Sequence, residues 1–509
     1  MTDHTAKAGG REWVGLAVLV LPALLASMDL SVLFMATPWI SADLQPSGTQ
    51  LLWVMDVYGF LMAGLLLTMG SLGDRIGRRK LLLIGAVAFG AASLLAAYAN
   101  STELLIAARA LLGIGGATLA PSTLALIRNM FHDPDQRRAA IGIWTGAFTG
   151  GVALGPIIGG LLLEHFWWGS VFLINVPVMV LLLVLAPILL PEHRDPAGGR
   201  FDLLSALLSI AAVLPVIYGI KELAEAGLHW PAVLAIVVGL AVGVLFVRRQ
   251  STMADPLIDV GLFRNGAFSA AIGAYAIMVF ASAGTGYLAV QYMQVVLGLR
   301  PFTAALWMLP TVAGTMVGIA LATALVRVVR PALVAGAGLA VAGCGFLLVN
   351  RIDVDSSEIV VIAGYTVLTL GIGMVAPLAI DLIVSTAPPS RAGTAAALGE
   401  TGAEFGGALG IAVLGSVAIV AYRDGIGDSL PAGVPAEAAD AATGTLGGAV
   451  AAAGALPAEL AGPLMQAANV AFTDGFKLAA VVGAALLFTT AVVVGIRLRR
   501  VRLDQPVSH

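Results

Sequence analysis

Charge is what this chain has least of. Asp, Glu, Lys and Arg make up only 11% of its 509 residues, while 59% are hydrophobic. A soluble domain carries about 25% charge, so too little polar surface exists here to clothe a water-soluble globule. Cysteine is all but absent: Cys344 stands alone, and no intramolecular disulfide can form. The chain has no H-E-x-x-H and no paired C-x-x-C, so no metal site is expected. It has no G-x-x-x-x-G-K-[ST] phosphate loop either, which argues against direct use of ATP, and no cofactor is expected. No Ser/His/Asp set marks an enzyme, and no sizeable soluble stretch offers the output domain of a receptor. The net charge of −3 gives no reason to expect a nucleic-acid partner.

Long apolar runs are what the chain has in quantity. A helix that crosses a bilayer needs about 20 mostly apolar residues. Fourteen runs qualify: 13–38, 51–72, 81–99, 104–127, 139–163, 170–190, 201–220, 230–247, 267–296, 303–325, 332–349, 359–384, 394–421 and 476–496. The first is too long for a signal-peptide core and shows no small-residue cleavage site, so it reads as a retained helix. With the N-terminus inside, 21 of the 27 Lys and Arg residues fall on the cytoplasmic side. That bias fits the positive-inside rule and an even helix count with both termini in the cytoplasm. The high Ala and Gly content suggests a GC-rich bacterial genome, hence a bacterial inner membrane.

The organisation expected is a cytoplasmic tail over 1–12, an N-terminal six-helix bundle over 13–190 and a linker over 191–266 with two additional spanning helices. A C-terminal six-helix bundle follows over 267–496, then a cytoplasmic tail over 497–509. The longest outer segment, 422–475, is rich in Ala, Gly and Pro. It reads either as a flexible loop or as a short amphipathic hairpin, given the helical spacing of Leu460, Leu464 and Ala468.

Between the second and third runs lies Gly70-Ser71-Leu72-Gly73-Asp74-Arg75-Ile76-Gly77-Arg78-Arg79-Lys80. Its glycines permit a sharp turn, and Asp74 can pair with Arg75 or Arg78. Charge alone would make it a topogenic basic loop, but that would require neither the glycines nor the acid. The run resembles the G-x-L-x-D-R-x-G-R-[KR] signature of the major facilitator superfamily, at the place where that family carries it. The resemblance implies an all-α integral membrane protein with the family's two six-helix bundles. It also implies that Asp74 faces the helix beginning near Ser390 and latches one transport state. Fourteen helices, two of them inserted between the bundles, resemble the larger subgroup of drug:proton antiporters.

The fifth run holds Gly151-Val152-Ala153-Leu154-Gly155-Pro156-Ile157-Ile158-Gly159-Gly160. Gly151, Gly155 and Gly159 form a smooth ridge on one helix face, and Gly142, Gly146 and Gly150 form a second. Small residues at this spacing let two backbones approach closely, and Pro156 removes one backbone hydrogen bond. Ordinary tight packing accounts for part of this. The pattern also looks like the antiporter motif of drug exporters in the same superfamily, which implies export.

Ionisable residues deep in a membrane segment cost roughly 2.5–3.5 kcal/mol on insertion scales and are functional candidates by default. Asp29 lies about 24 Å along the first helix. Its surroundings, Met28-Asp29-Leu30-Ser31 through Pro38, resemble the family's L-D-x-T-x-x-N-x-A-L-P stretch, with Ser31, Phe34 and Thr37 as departures. Asp56, in Trp53-Val54-Met55-Asp56-Val57-Tyr58, resembles the subgroup's W-x-x-[DT]-x-Y; its alternative is a helix-end acid reached by water. Arg109 opens Arg109-Ala110-Leu111-Leu112-Gly113-Ile114-Gly115-Gly116-Ala117, which looks like the family's R-x-x-x-G-x-G-x-A. A guanidinium there needs a partner, and Asp29 and Asp56 are both candidates. The pair is either a coupling device that protonation releases or a static ion pair.

Glu400 and Glu404 share one face of the thirteenth helix, about 15 and 21 Å deep. Two carboxylates this close repel when both are ionised, which suits proton carrying and cation binding alike. The family's cation exporters carry acids in a matching E-x-x-x-[DE]-x-G segment. Trp53, Tyr58, Trp144, Phe148, Tyr275, Met278, Tyr287 and Trp307 are candidate pocket residues, since planar cations bind well against aromatic faces; for any one of them, lipid or core packing is the plainer account.

The expectation is a proton-coupled multidrug efflux antiporter that exports lipophilic cationic drugs and dyes by alternating access. Its partners would be those small molecules, protons and the lipid bilayer, and a monomer suffices. The alternative is a dedicated exporter of one endogenous lipid, siderophore or antibiotic. A membrane receptor or enzyme is the remote alternative.

Overall fold

Inside a bilayer no water is available to satisfy a backbone N–H or C=O, so a spanning segment must bond to itself. In the computed structural model every regular element among the described residues, 8–192, 194, 202–253, 256–388 and 392–498, is helical. Fourteen helices are long and apolar enough to cross a membrane. They are α1 Gly10–Leu44, α2 Gly48–Ile76, α3 Arg78–Ala97, α4 Thr102–Met130, α5 Pro134–His165, α6 Ser170–Leu189 and α7 Leu203–Ala226. The rest are α8 Trp230–Thr252, α9 Gly266–Val296, α10 Pro301–Leu325, α11 Pro331–Val349, α12 Glu358–Ser385, α13 Thr394–Ser429 and α14 Ala458–Arg497. The two helices of the expected linker, α7 and α8, are both formed. The chain is therefore a multi-pass membrane protein.

Local chemistry sets the ends. Ser101 Oγ accepts from Leu104 N at 3.2 Å and opens α4. Asp133 Oδ1 accepts from Gln136 N at 2.9 Å and opens α5, with Pro134 at the first helical position, where no N–H is needed.

Two compact units divide the chain. One comprises Met1–Ile40, Trp53–Ile210 and Arg300–Phe302; in it α3 packs along α4 and α6. The other comprises Ser41–Leu52, Ala211–Leu299 and Thr303–His509; in it α11 pairs with α12, α9 with α13, and α14 with both α11 and α13.

Two local features gain detail. The glycine-rich run turns sharply, at a single residue. α2 stays helical through Ile76, and only Gly77 leaves the helix, at φ +113°, before α3 begins at Arg78. Gly70 and Gly73 serve as helix surface rather than as hinge. Of the two readings of the 422–475 segment, loop or helical hairpin, the structure has helices. α13 runs on to Ser429, short helices Ala436–Gly444 and Leu446–Ala455 follow, and α14 begins at Ala458. Alanine is the best helix former, and this stretch is rich in it. The helical spacing seen around Leu464 and Ala468 belongs to the first turns of α14, where both side chains are buried.

Candidate functional site

The first unit buries one ion pair. Arg109, on α4, is fully enclosed, and its Nη1 donates to Asp29 Oδ2 on α1. Arg109 Nε donates to Val54 O at 3.0 Å, and its guanidinium carbon lies 4.8 Å from the centre of the Tyr58 ring. A buried cation on α4 is thus held by a carboxylate from α1 and by a carbonyl dipole and an aromatic face from α2. Arg109 Nη2 has no hydrogen-bond acceptor among the described residues. Of the two candidate acids, the structure puts Asp29 on Arg109. Val54 and Tyr58 share one face of α2, and Asp56, buried at 1% exposure, lies off that face.

The glycines after Arg109 explain how it gets there. A Cβ on Gly113 would lie 2.6 Å from Tyr58 O and 3.0 Å from Tyr58 Cα, so α2 and α4 touch backbone to backbone. Gly116 gives room to the Tyr58 hydroxyl, and Gly115 brings α3 to α4 at Phe89. The R-x-x-x-G-x-G-x-A spacing therefore seats an arginine and the helix crossing that delivers Tyr58 to it.

The α5 ridge has a related role. Gly155 stands where a Cβ would meet Met28 O at 3.2 Å, and Gly151 and Gly159 lie against Leu24 and Val32 in the same way. α5 is thereby pressed onto the stretch of α1 that carries Asp29. Gly160 packs on the backbone of Phe302. Pro156 sits inside α5, between the contacts at Gly155 and Gly159. The second ridge does not act alike: a Cβ on Gly142, Gly146 or Gly150 would meet nothing within 4 Å.

In the second unit Glu400 is exposed and Glu404 half-buried, both on α13. Tyr275 of α9 lies within electrostatic reach of both. The α9–α13 contact is again made by glycine: a Cβ on Gly402 would meet Ile272 at 3.4 Å, and Gly406 rests on the Ala276 backbone. Tyr287, further along α9, is 2% exposed and borders Gly415, so it belongs to the helix contact. Trp144 and Phe148 stack on α5 with ring centres 5.8 Å apart, and Trp144 Nε1 donates to Thr123 Oγ1 of α4 at 3.1 Å. Trp53 is half-buried on α2.

At the α2–α3 junction Asp74 pairs with Arg78, one helical turn on, rather than with Arg75, which is exposed. Ser390, near the start of the helix that Asp74 was expected to face, lies outside the described residues. A residue that sequence reasoning missed completes this corner. Glu192, beyond α6, accepts from Arg79 N at 3.2 Å and lies 3.7 Å from Arg79 Nε, while Arg79 Nη1 donates to Leu190 O at 2.9 Å. A carboxylate thus meets the positive N-terminal end of α3. The only sequence signal was an acid just after the end of the sixth apolar run.

Comparison with known proteins sets these features in a family. Residues 19–411 match the sequence profile of the Major Facilitator Superfamily. The multidrug efflux pump LfrA of Mycolicibacterium smegmatis is 45% identical over 500 residues, covering 98% of this chain and 99% of that protein. The methyl viologen resistance protein SmvA of Salmonella typhimurium is 34% identical, covering 95% of this chain and 97% of its own. Among solved structures, a bacterial homologue of the human lysosomal transporter Spinster aligns over 97% of this chain with a TM-score of 0.66, at 17% identity, a likeness of fold.

Proposed function

The chain belongs to the major facilitator superfamily, with drug-efflux proteins among its relatives, and we propose that it is a proton-driven exporter of lipophilic cationic drugs and dyes. The observation that carries the reading is the buried Asp29–Arg109 pair. A buried carboxylate paired with a sealed guanidinium is a two-state element: ionised it would hold the cation, protonated it would release it. Asp56 and the Glu400–Glu404 pair supply further carboxylates, Tyr58 places an aromatic face beside charge, and Tyr275 lies within electrostatic reach of Glu400 and Glu404. Competition of proton and cationic drug for these carboxylates would couple their fluxes, with Asp29, Asp56, Glu400 and Glu404 as carriers or binders. The Asp74–Arg78 corner would gate the cytoplasmic side, and the α5 glycine ridge would transmit the state of Asp29.

Two relatives support the substrate class by name, one a multidrug pump and the other a determinant of resistance to methyl viologen, which is a cation. One charge moved through 100 mV is worth about 2.3 kcal/mol. Exchange of one proton for a monovalent cation such as ethidium therefore draws only on the pH gradient, and a second proton would recruit the potential; methyl viologen, a dication, needs two protons for the same balance.

The test is efflux of ethidium and methyl viologen from cells expressing the protein, with and without an uncoupler, beside Asp29→Asn and Glu404→Gln. Uncoupler-sensitive efflux of both compounds, lost in either variant, is the expected result. Efflux indifferent to the uncoupler and to both substitutions would overturn the coupling scheme. Efflux of neither compound would point to a dedicated exporter of one endogenous molecule.

A further inference from the structure

The two inserted helices enclose a feature that the transport scheme does not use. Within the second unit α7 and α8 cross tightly at Gly239, where a Cβ would meet Ala212 O at 2.7 Å and the Val216 side chain at 2.7 Å. One turn further the helices have parted: a Cβ on Gly243 would meet only Ala212, at 3.7 Å. The space they leave, closed from one side by Phe405 and Leu409 of α13, is a groove of about 580 Å³. That volume falls in the range of sites for small organic molecules, about 300–1,000 Å³. Every side chain lining it is apolar except one, Arg248. That guanidinium is exposed and makes no ion pair among the described residues.

We propose that this groove is a binding site for one anionic phospholipid, with an acyl chain lying along α7, α8 and α13 and the phosphate against Arg248. The chemistry selects the occupant. Leu240 and Val244 beside the groove are 59% and 54% exposed on helices that span the membrane, so its surroundings are lipid. A lipophilic cation would fill the apolar part but meet a like charge at Arg248. An apolar helix of another protein would leave that guanidinium unpaired. An amphiphile with a long chain and one negative head satisfies both parts, and basic pockets between membrane helices recognise anionic headgroups in this way. Bound there, the lipid would tie α7 and α8 to α13, the helix that bears Glu400 and Glu404.

The test uses the full chain, purified in detergent and incubated with phosphatidylglycerol or phosphatidylcholine of identical acyl chains. Retained lipid is read by native mass spectrometry, without any transport assay. The protein should retain phosphatidylglycerol about fivefold better, the effect of one basic residue on an anionic headgroup. Arg248→Gln should equalise the two lipids, and Arg248→Lys should restore the preference. Gly243→Leu should lower retention of both, since it fills the groove and leaves the crossing at Gly239 intact. Equal retention of the two lipids by the unaltered protein, or a preference that survives Arg248→Gln, overturns the proposal. So does unchanged retention in Gly243→Leu, which would mean that bound lipid lies elsewhere.

Discussion

Replacing Asp29 by Asn should destabilise this protein far more than replacing the whole ion pair. The side chains of Arg109 and Asp29 are 0% and 3% exposed. Asparagine keeps the shape and an acceptor oxygen but removes the charge. The guanidinium is left with the Val54 carbonyl at 3.0 Å and the Tyr58 ring. A buried cation stripped of its counter-ion costs about 3–5 kcal/mol. The ring face, worth about 2 kcal/mol to a desolvated cation, is already engaged and compensates nothing. Asp29→Leu combined with Arg109→Met removes both charges and the desolvation they entail. Replacing a buried pair by apolar groups of similar volume is often neutral or stabilising, so the double variant should recover most of the loss. The cycle of Asp29→Leu, Arg109→Met and their combination should give a coupling of at least about 2 kcal/mol. Reversible unfolding of the purified protein in mixed micelles measures it. Single variants within about 0.5 kcal/mol of the parent, as expected for exposed pairs, would refute the buried-pair argument. A double variant as unstable as the two single losses added together would refute it equally.

Four further substitutions test the geometry. Gly113→Ala pushes a methyl against the Tyr58 backbone and should part α2 from α4, with a loss of about 1–3 kcal/mol in the same unfolding assay; Gly116→Ala, which meets only the Tyr58 ring and hydroxyl, should be milder. Gly77→Ala forces a side chain into φ +113° beside the Glu192 carboxylate and should cost about 1–3 kcal/mol. Glu192→Gln keeps an acceptor for Arg79 N but loses the charge at the α3 terminus; it should cost about 0.3–1 kcal/mol, a difference that fades at high salt.

The fourteen helices were legible because bilayer thickness imposes a run length that composition alone displays. Tight crossings were legible too, since glycine at four-residue spacing is the imprint of one backbone against another: Gly151, Gly155 and Gly159 name the ridge that meets α1. What the spacing did not encode was which ridge is used, and Gly142, Gly146 and Gly150 carry the same pattern without a neighbour. The choice between Asp29 and Asp56 was open for a similar reason. Rise along a helix gives depth, but the azimuth between helices is set by packing, here by the approach of Tyr58 to Gly113. The 422–475 stretch hid its helices because alanine and glycine give little contrast between a buried and an exposed face. Glu192 escaped notice because its partner lies 113 residues away, at the start of α3, with four helices between them.

Proton and drug should exchange on the same carriers. Purified protein in sealed liposomes, with a pH-sensitive dye inside and methyl viologen added to one side, tests it most directly. Proton movement opposite to the drug, begun by its addition and abolished by Asp29→Asn, is the expected result. Methyl viologen crossing with no proton movement, or proton movement unchanged in that variant, would contradict it.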